Sequence, residues 1–242
     1  MRRCSVYPAR PKATKPVLVL VCLAAWCMVV GGTAWGGTIK GTVRFTGAAF
    51  EQKKVPVTVD HSVCGKEKDA EDIVLSPAKG IRNVVVSLQS PPPGAKWPVS
   101  LPMVQMDQEQ CAFVPRVVVV PAGGTVEFLN TDRLLHNLHS ASTGNPAFNR
   151  TQPRGRTIPI VFKTPEIIRV DCDLHPWMRA WVVVAEHPFY AVTNDQGEFM
   201  LDHVPAGEYA LQLWQESLGM ATKDVSIRDE AITTVTVEMS KK

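Results

Sequence analysis

Apolar and polar residues alternate along much of this chain with a period of two. Residues 38–45 read Thr-Ile-Lys-Gly-Thr-Val-Arg-Phe, which puts Ile39, Val43 and Phe45 on one face of a strand. The valines at 84–86 suit a buried strand over 83–89. A second apolar run follows at 116–120. Further strands are predicted at 125–129, 158–162, 167–170 and 181–185, then at 198–201, 208–214, 224–227 and 233–239. Turn residues separate them: Pro121-Ala-Gly-Gly, Asn194-Asp-Gln-Gly and Pro205-Ala-Gly. Residues 91–98 hold four prolines and a glycine and read as a linker. No amphipathic helix of useful length is visible. Short strands punctuated this often predict an all-β fold built of two β-sandwiches.

Composition agrees with a packed globular chain: 242 residues, 45% apolar and 20% charged, enough for one or two domains. The charge changes the picture once its distribution is considered. The net +3 comes from 26 basic and 23 acidic residues, but Arg2, Arg3, Arg10, Lys12 and Lys15 all precede Gly37, where there is no acid. Without those five the balance is 21 against 23, a net −2, which leaves no electrostatic case for nucleic acid. The basic start, the apolar run at 17–30 and the small residues ending in Ala34-Trp35-Gly36 predict a signal peptide over 1–36. The expected location is periplasmic or extracellular, with membrane attachment only if the leader stays uncleaved. No other segment is long and apolar enough to cross a bilayer. Of six cysteines, Cys4, Cys22 and Cys27 fall in the leader, and Cys64, Cys111 and Cys172 lie beyond it.

The chemistry concentrates in Cys172-Asp-Leu-His175-Pro-Trp-Met178, where thiolate, imidazole and thioether recur at three-residue steps between two strands. His136 lies upstream in Leu-Leu-His136-Asn-Leu-His139, just after a strand and the turn Asn130-Thr-Asp. Two imidazoles, one thiolate and a weak methionine form the donor set of a blue-copper electron-transfer site. Zinc is a poorer match because methionine ligates it weakly. His139, three residues from His136, faces the opposite way on a strand and is read as a hydrogen-bonded histidine. His61, His187 and His203 have no ligand-spaced partners. Asn149-Arg-Thr151 matches a glycosylation sequon.

On these residues, together with Ala112-Phe-Val-Pro115 and Pro121-Ala-Gly-Gly-Thr-Val-Glu-Phe128, the segment 101–187 resembles the cupredoxins. Its order is plastocyanin-like and its ligand loop is of the short amicyanin type. The resemblance implies one mononuclear type 1 copper site with His136, Cys172 and His175 as equatorial ligands and Met178 as axial ligand. Asn137 would pin the two ligand loops and send an amide N–H toward the Cys172 sulfur. Electrons would enter by an exposed edge of His175. Trp177, beside His175, is either part of a partner-docking surface with Pro176 or, like Trp181, a packing residue. With Cys172 assigned to copper as a free thiolate, Cys64 and Cys111 remain, and in an exported chain they most simply pair. The loop so closed is worth about 4 kcal/mol in the chain-entropy model.

The tail, from Ala191-Val-Thr-Asn-Asp-Gln-Gly197-Glu-Phe199 through Val204-Pro-Ala-Gly207-Glu-Tyr209, resembles the carboxypeptidase regulatory-like module, a transthyretin-like sandwich. Too few strands follow Tyr190 to complete one. Residues 37–100 are therefore expected to contribute an N-terminal β segment to it, completing a discontinuous sandwich with 188–242 around an inserted cupredoxin at 101–187. The leading functional expectation is an exported protein that shuttles one electron with a redox partner, a cytochrome or dehydrogenase. The alternatives are copper binding or delivery without a redox role, and a non-metal interaction module. No nucleophile elbow, paired-carboxylate motif or second copper cluster suggests an enzyme.

Overall fold

The alternation at 38–45 yields β1 (Gly37–Phe45), whose odd-numbered positions are buried from end to end. The structure, a computed structural model, describes residues 36–48 and 51–241. The predicted leader up to residue 35, with Cys4, Cys22 and Cys27, lies outside the described residues. After β1 come β2 (Lys54–Pro56), a single-turn helix α1 (His61–Cys64), β3 (Glu67–Asp69) and β4 (Val85–Leu88). The middle of the chain forms β5 (Val104–Glu109), β6 (Ala112–Val114), β7 (Val117–Pro121), β8 (Thr125–Phe128) and β9 (His136–Ser140). It continues with β10 (Phe148–Gln152), β11 (Ile158–Val161), β12 (Glu166–Asp171) and β13 (Arg179–Ala185). The tail forms β14 (Tyr190–Val192), β15 (Glu198–Val204), β16 (Gly207–Gln215), β17 (Gly219–Ile227) and β18 (Ile232–Met239). The fold is all-β. Among the described residues no helix is long and apolar enough to cross a membrane.

Two hydrophobic cores organise these strands. A five-stranded sheet, β10-β9-β12-β13-β7, and a four-stranded sheet, β11-β8-β5-β6, enclose one core that includes Phe128, Leu138, Phe162, Ile168, Cys172 and Met178. The sheets β15-β1-β18 and β14-β4-β16-β17 enclose the other, around Ile39, Val43, Val86, Leu211, Leu213 and Val237. β1 pairs with β15 in antiparallel and with β18 in parallel fashion, so the first described strand is fixed by the last.

The unbroken valine runs acquire a physical reason here. In β7, Val118 and Val120 enter the first core while Val117 and Val119 face outward. In β4, Val86 and Leu88 enter the second core and Val85 faces outward. Those outward residues meet one another, with Trp181 and Trp214, in a third apolar cluster. A strand buried on both faces has no polar side to alternate with. Strands absent from the sequence reading, among them β5, β6, β10 and β14, are short or rich in polar residues. The short hairpin β2–β3 is a separate two-stranded sheet. Within that stretch, Val57 and Cys64 pack into the first core.

Candidate metal centre

The ligand motif lies where β9 begins and where β12 hands over to β13. Residues 172–178 form two successive turns: His175 N–H donates to Cys172 O at 3.2 Å and Met178 N–H to His175 O at 2.9 Å. Cys172 N–H closes the loop on Met178 O at 3.3 Å. Turns of this kind return the chain every three residues, which is why the three-residue spacing brings the Cys172 and His175 side chains together. Cys172, His175 and Met178 are each about 1% exposed.

His136, fully buried at the start of β9, meets Cys172 and His175 from the neighbouring strand. Its Nδ1 lies 2.9 Å from His175 Nδ1 and 3.9 Å from Cys172 Sγ, and His175 Nδ1 lies 3.5 Å from that sulfur. A point equidistant from the three atoms is about 2 Å from each, the length of a metal–imidazole bond. Each imidazole gives its other nitrogen to a carboxylate: His136 Nε2–H to Asp132 Oδ2 at 2.8 Å and His175 Nε2–H to Asp60 Oδ2 at 3.0 Å. Those hydrogen bonds leave both Nδ1 lone pairs aimed inward, the tautomer a metal ligand needs. Two bare nitrogens 2.9 Å apart repel unless a cation lies between them. The residues therefore fit a soft, imidazole-binding ion such as copper.

Protonation energetics point the same way. Burial pushes the Cys172 thiol above its ordinary range, against the backbone N–H groups of Asn137 and His175. Burial likewise holds His136 below the ordinary imidazole range despite Asp132, so it is neutral near pH 7. A cation bound at the sulfur would displace the thiol proton to solvent and stabilise the thiolate that burial otherwise disfavours.

Asn137, on β9 beside His136, links it to the loop that carries Cys172. Its backbone N–H donates to Cys172 Sγ at 3.4 Å, and its Oδ1 accepts from Asp173 N–H at 2.5 Å. Asn137 Nδ2 donates to Asn149 Oδ1 and Asn149 Nδ2 to Asp173 Oδ2. The sequon asparagine is thus already engaged, and a glycan there would take up one of its two Nδ2 hydrogens. His139 points away from His136 and pairs with Asp173 at 2.8 Å, a contact that, ahead of the hydrogen bond from Asn149, draws the Asp173 carboxyl below its ordinary range. Trp177 donates its indole N–H to Cys111 O at 3.1 Å and its ring centroid lies 5.2 Å from that of His175. Pro176 is exposed beside it. Trp181 faces the other way, onto Trp214.

Cys64 and Cys111 form a disulfide, and Cys172 is the free cysteine among the described residues. A second set of donors, Cys111, Asp132 and His136, also converges, but the Cys111 sulfur is held in that disulfide. The expected exposed edge on His175 is not present: the ring is buried and Asp60 occupies its Nε2. Neither aspartate was named in the sequence reading. Asp132 carried a signal, four residues before His136 in the turn Asn130-Thr-Asp. Asn130 shapes that turn by donating to Leu134 O and Gln152 O, and Asp132 also accepts from the N–H groups of Gln110 and Cys111.

No family model matches the chain, and neither does any curated protein. The structural neighbours are cupredoxins, over about 41% of the chain. A copper-containing nitrite reductase from Thermus scotoductus aligns at 24% identity and a TM-score of 0.34, covering 41% of this chain and 26% of that one. A purple cupredoxin from Nitrosopumilus maritimus aligns at 23% identity and 0.30, covering 34% of this chain and 99% of that one. A reduced amicyanin variant aligns at 22% and 0.33, covering 41% and 98%.

Proposed function

We propose that this chain is an exported protein that holds one copper ion at His136, Cys172 and His175, with Met178 as a weak axial ligand, and passes single electrons. The observation that supports this most directly is the convergence of two inward-facing Nδ1 atoms and one thiol sulfur at a dry point, with both Nε2–H groups committed elsewhere. Bound copper would supply one-electron chemistry between Cu(II) and Cu(I). The chain's own part is to hold still. His136 and Cys172 flank paired strands, Asn137 ties the two loops, and the carboxylates of Asp60 and Asp132 fix both rings. Little rearrangement is then needed when the charge at the centre changes. The redox partner, a cytochrome or a dehydrogenase, is proposed to dock at Pro176 and Trp177, because the imidazole edge is covered while Trp177 packs on the His175 ring.

The remaining strands are proposed to form a discontinuous carboxypeptidase regulatory-like sandwich from residues 37–90 and 188–242. The pairing of β1 with β15 and β18, and of β4 with β14 and β16, supports this reading. It assigns that sandwich a scaffolding role.

The test is addition of Cu(II) to the metal-free protein. One equivalent should produce an intense blue thiolate-to-copper absorption, and Cys172→Ser should abolish it. A folded wild-type protein that stays colourless overturns the reading. The covered edge of His175 favours a second reading, copper holding without electron exchange. Fast electron self-exchange between oxidised and reduced protein separates the first from the second.

A further inference from the structure

The covering of His175 comes from a distant part of the chain. Asp60 lies 115 residues before it, outside the segment that supplies the ligands. Asp60 adopts a left-handed backbone conformation, φ 53°, which aspartate tolerates better than most residues. Its own carbonyl then accepts from Val63 and Cys64 N–H, at 3.0 and 2.9 Å, to form the single turn α1. That turn ends at Cys64, and the disulfide to Cys111 fastens it to the sandwich. On the other side of Asp60, Val57 is buried in the same core as Cys172, and its N–H donates to Lys66 O. The strap is thus fixed at both ends, with the Asp60 carboxylate between them.

The anchor at Cys111 reaches the site again by two routes. Cys111 N–H donates to the Asp132 oxygen that receives His136, and Cys111 O accepts the Trp177 indole N–H. Asp60 and Trp177 therefore contact His175 from structures joined through one disulfide.

We infer that Asp60 is a positioning residue for His175, delivered by a disulfide-clamped strap, and that it sets the ring's tautomer and closes the solvent edge of the metal centre. Its carboxylate accepts the Nε2 proton and leaves the Nδ1 lone pair facing the other donors. It also adds a negative charge on the far side of a ligand, which favours the more highly charged state of a bound ion.

The inference rests on the proposed copper function for its redox consequence, but the tautomer can be read without metal. Nitrogen-15 NMR of metal-free wild-type protein should show His175 protonated at Nε2, and Asp60→Leu, which has no acceptor, should lose that preference. In the copper-loaded protein, Asp60→Asn should raise the reduction potential and speed removal of copper by a chelator by about 10- to 100-fold, the range seen when partners of metal-bound histidines are lost. The paired variant Cys64→Ser/Cys111→Ser should speed chelation similarly, and adding Asp60→Asn to it should add little. A colourless wild type removes the copper reading, and the tautomer then decides the role of Asp60 alone. An unchanged His175 tautomer in Asp60→Leu, or a potential and chelation rate in Asp60→Asn equal to wild type, overturns the inference.

Discussion

Glu166, at the start of β12, shows how one side chain can hold a loop. Its carboxylate accepts from Ser142 Oγ at 2.5 Å, from the N–H groups of Thr143, Gly144 and Asn145, and from Asn145 Nδ2. Burial alone would raise its pKa, but the hydrogen bonds from Ser142, Thr143, Asn145 and Gly144 outweigh that and bring it down to about 2. A depressed carboxylate stabilises the fold fully above its unfolded pKa of about 4.5 and loses that contribution as pH falls toward 2. Glu166→Gln keeps the shape but turns an amide against donors. It should cost roughly 2 kcal/mol near pH 7, and the gap to wild type should close between pH 4.5 and 2 in denaturant melts. A gap independent of pH would show that packing, not charge, is at work. Such partnerships were not legible in the sequence. The candidate donors His136, Cys172, His175 and Met178 stand out there because each type has its own chemistry and the loop spaces them regularly, and the structure brings the first three together. Asp60 does not, because an aspartate 115 residues away looks like any other and only the fold brings it to His175.

At the scale of elements, alternation and turn residues carried most of the strand pattern. β1, β8, β13 and β18 each have a clear buried face. β10 escaped because its middle positions, Asn149, Arg150 and Thr151, are exposed and polar, and only its end residue Phe148 reaches the core while the rest is held by pairing to β9. The turn glycine at 197 was legible, but its partner was not. Gly197 has φ +78°, and a Cβ there would approach Gly80 Cα to 2.6 Å. A Cβ on Gly80 would come within 1.8 Å of Gln196 O, which is backbone and cannot swing aside. The contact locks the β14–β15 turn against the end of β1, where Val43 N–H donates to Gly197 O and Ile81 N–H to Val43 O. Gly80→Ala should therefore cost about 3 kcal/mol or more, the upper part of the usual overpacking range. Gly219, φ +76°, with open space around it, is the control. Gly219→Ala should cost only the backbone penalty of about 1 kcal/mol. Equal losses in thermal melts would show that conformational strain, not close approach, explains Gly80.

Across the whole molecule, the two cores share one wall. Val85, Val117 and Val119 are buried there, and the Trp181 and Trp214 rings meet edge to face at 5.1 Å. The wall is bounded by a paired charge. Arg116, just before β7, donates through Nε and Nη2 to the two carboxylate oxygens of Glu216 at 2.6 and 3.0 Å, and the side chains are 9% and 6% exposed. Arg116 also reaches Arg179 O, one residue beyond Met178, so the clamp lies close behind the ligand loop. Removing Glu216 leaves the buried Arg116 only the longer contact to the more exposed Glu71 at 3.9 Å, whereas replacing both members of a buried pair with apolar groups of similar size is often neutral. Glu216→Ala should therefore cost about 3–5 kcal/mol, and Arg116→Met/Glu216→Leu should recover most of it. Because the pair links β7 to the β16–β17 turn, its loss should also loosen the coupling of the two cores. Urea unfolding can be followed by tryptophan fluorescence, which includes Trp181 and Trp214 at the wall, and by far-ultraviolet circular dichroism, which sees every strand. The two traces should coincide in the wild type and in the apolar double variant, and separate in Glu216→Ala. Coincident traces in all three, with Glu216→Ala as stable as wild type, would mean that the apolar wall alone joins the cores and the ion pair is incidental to it.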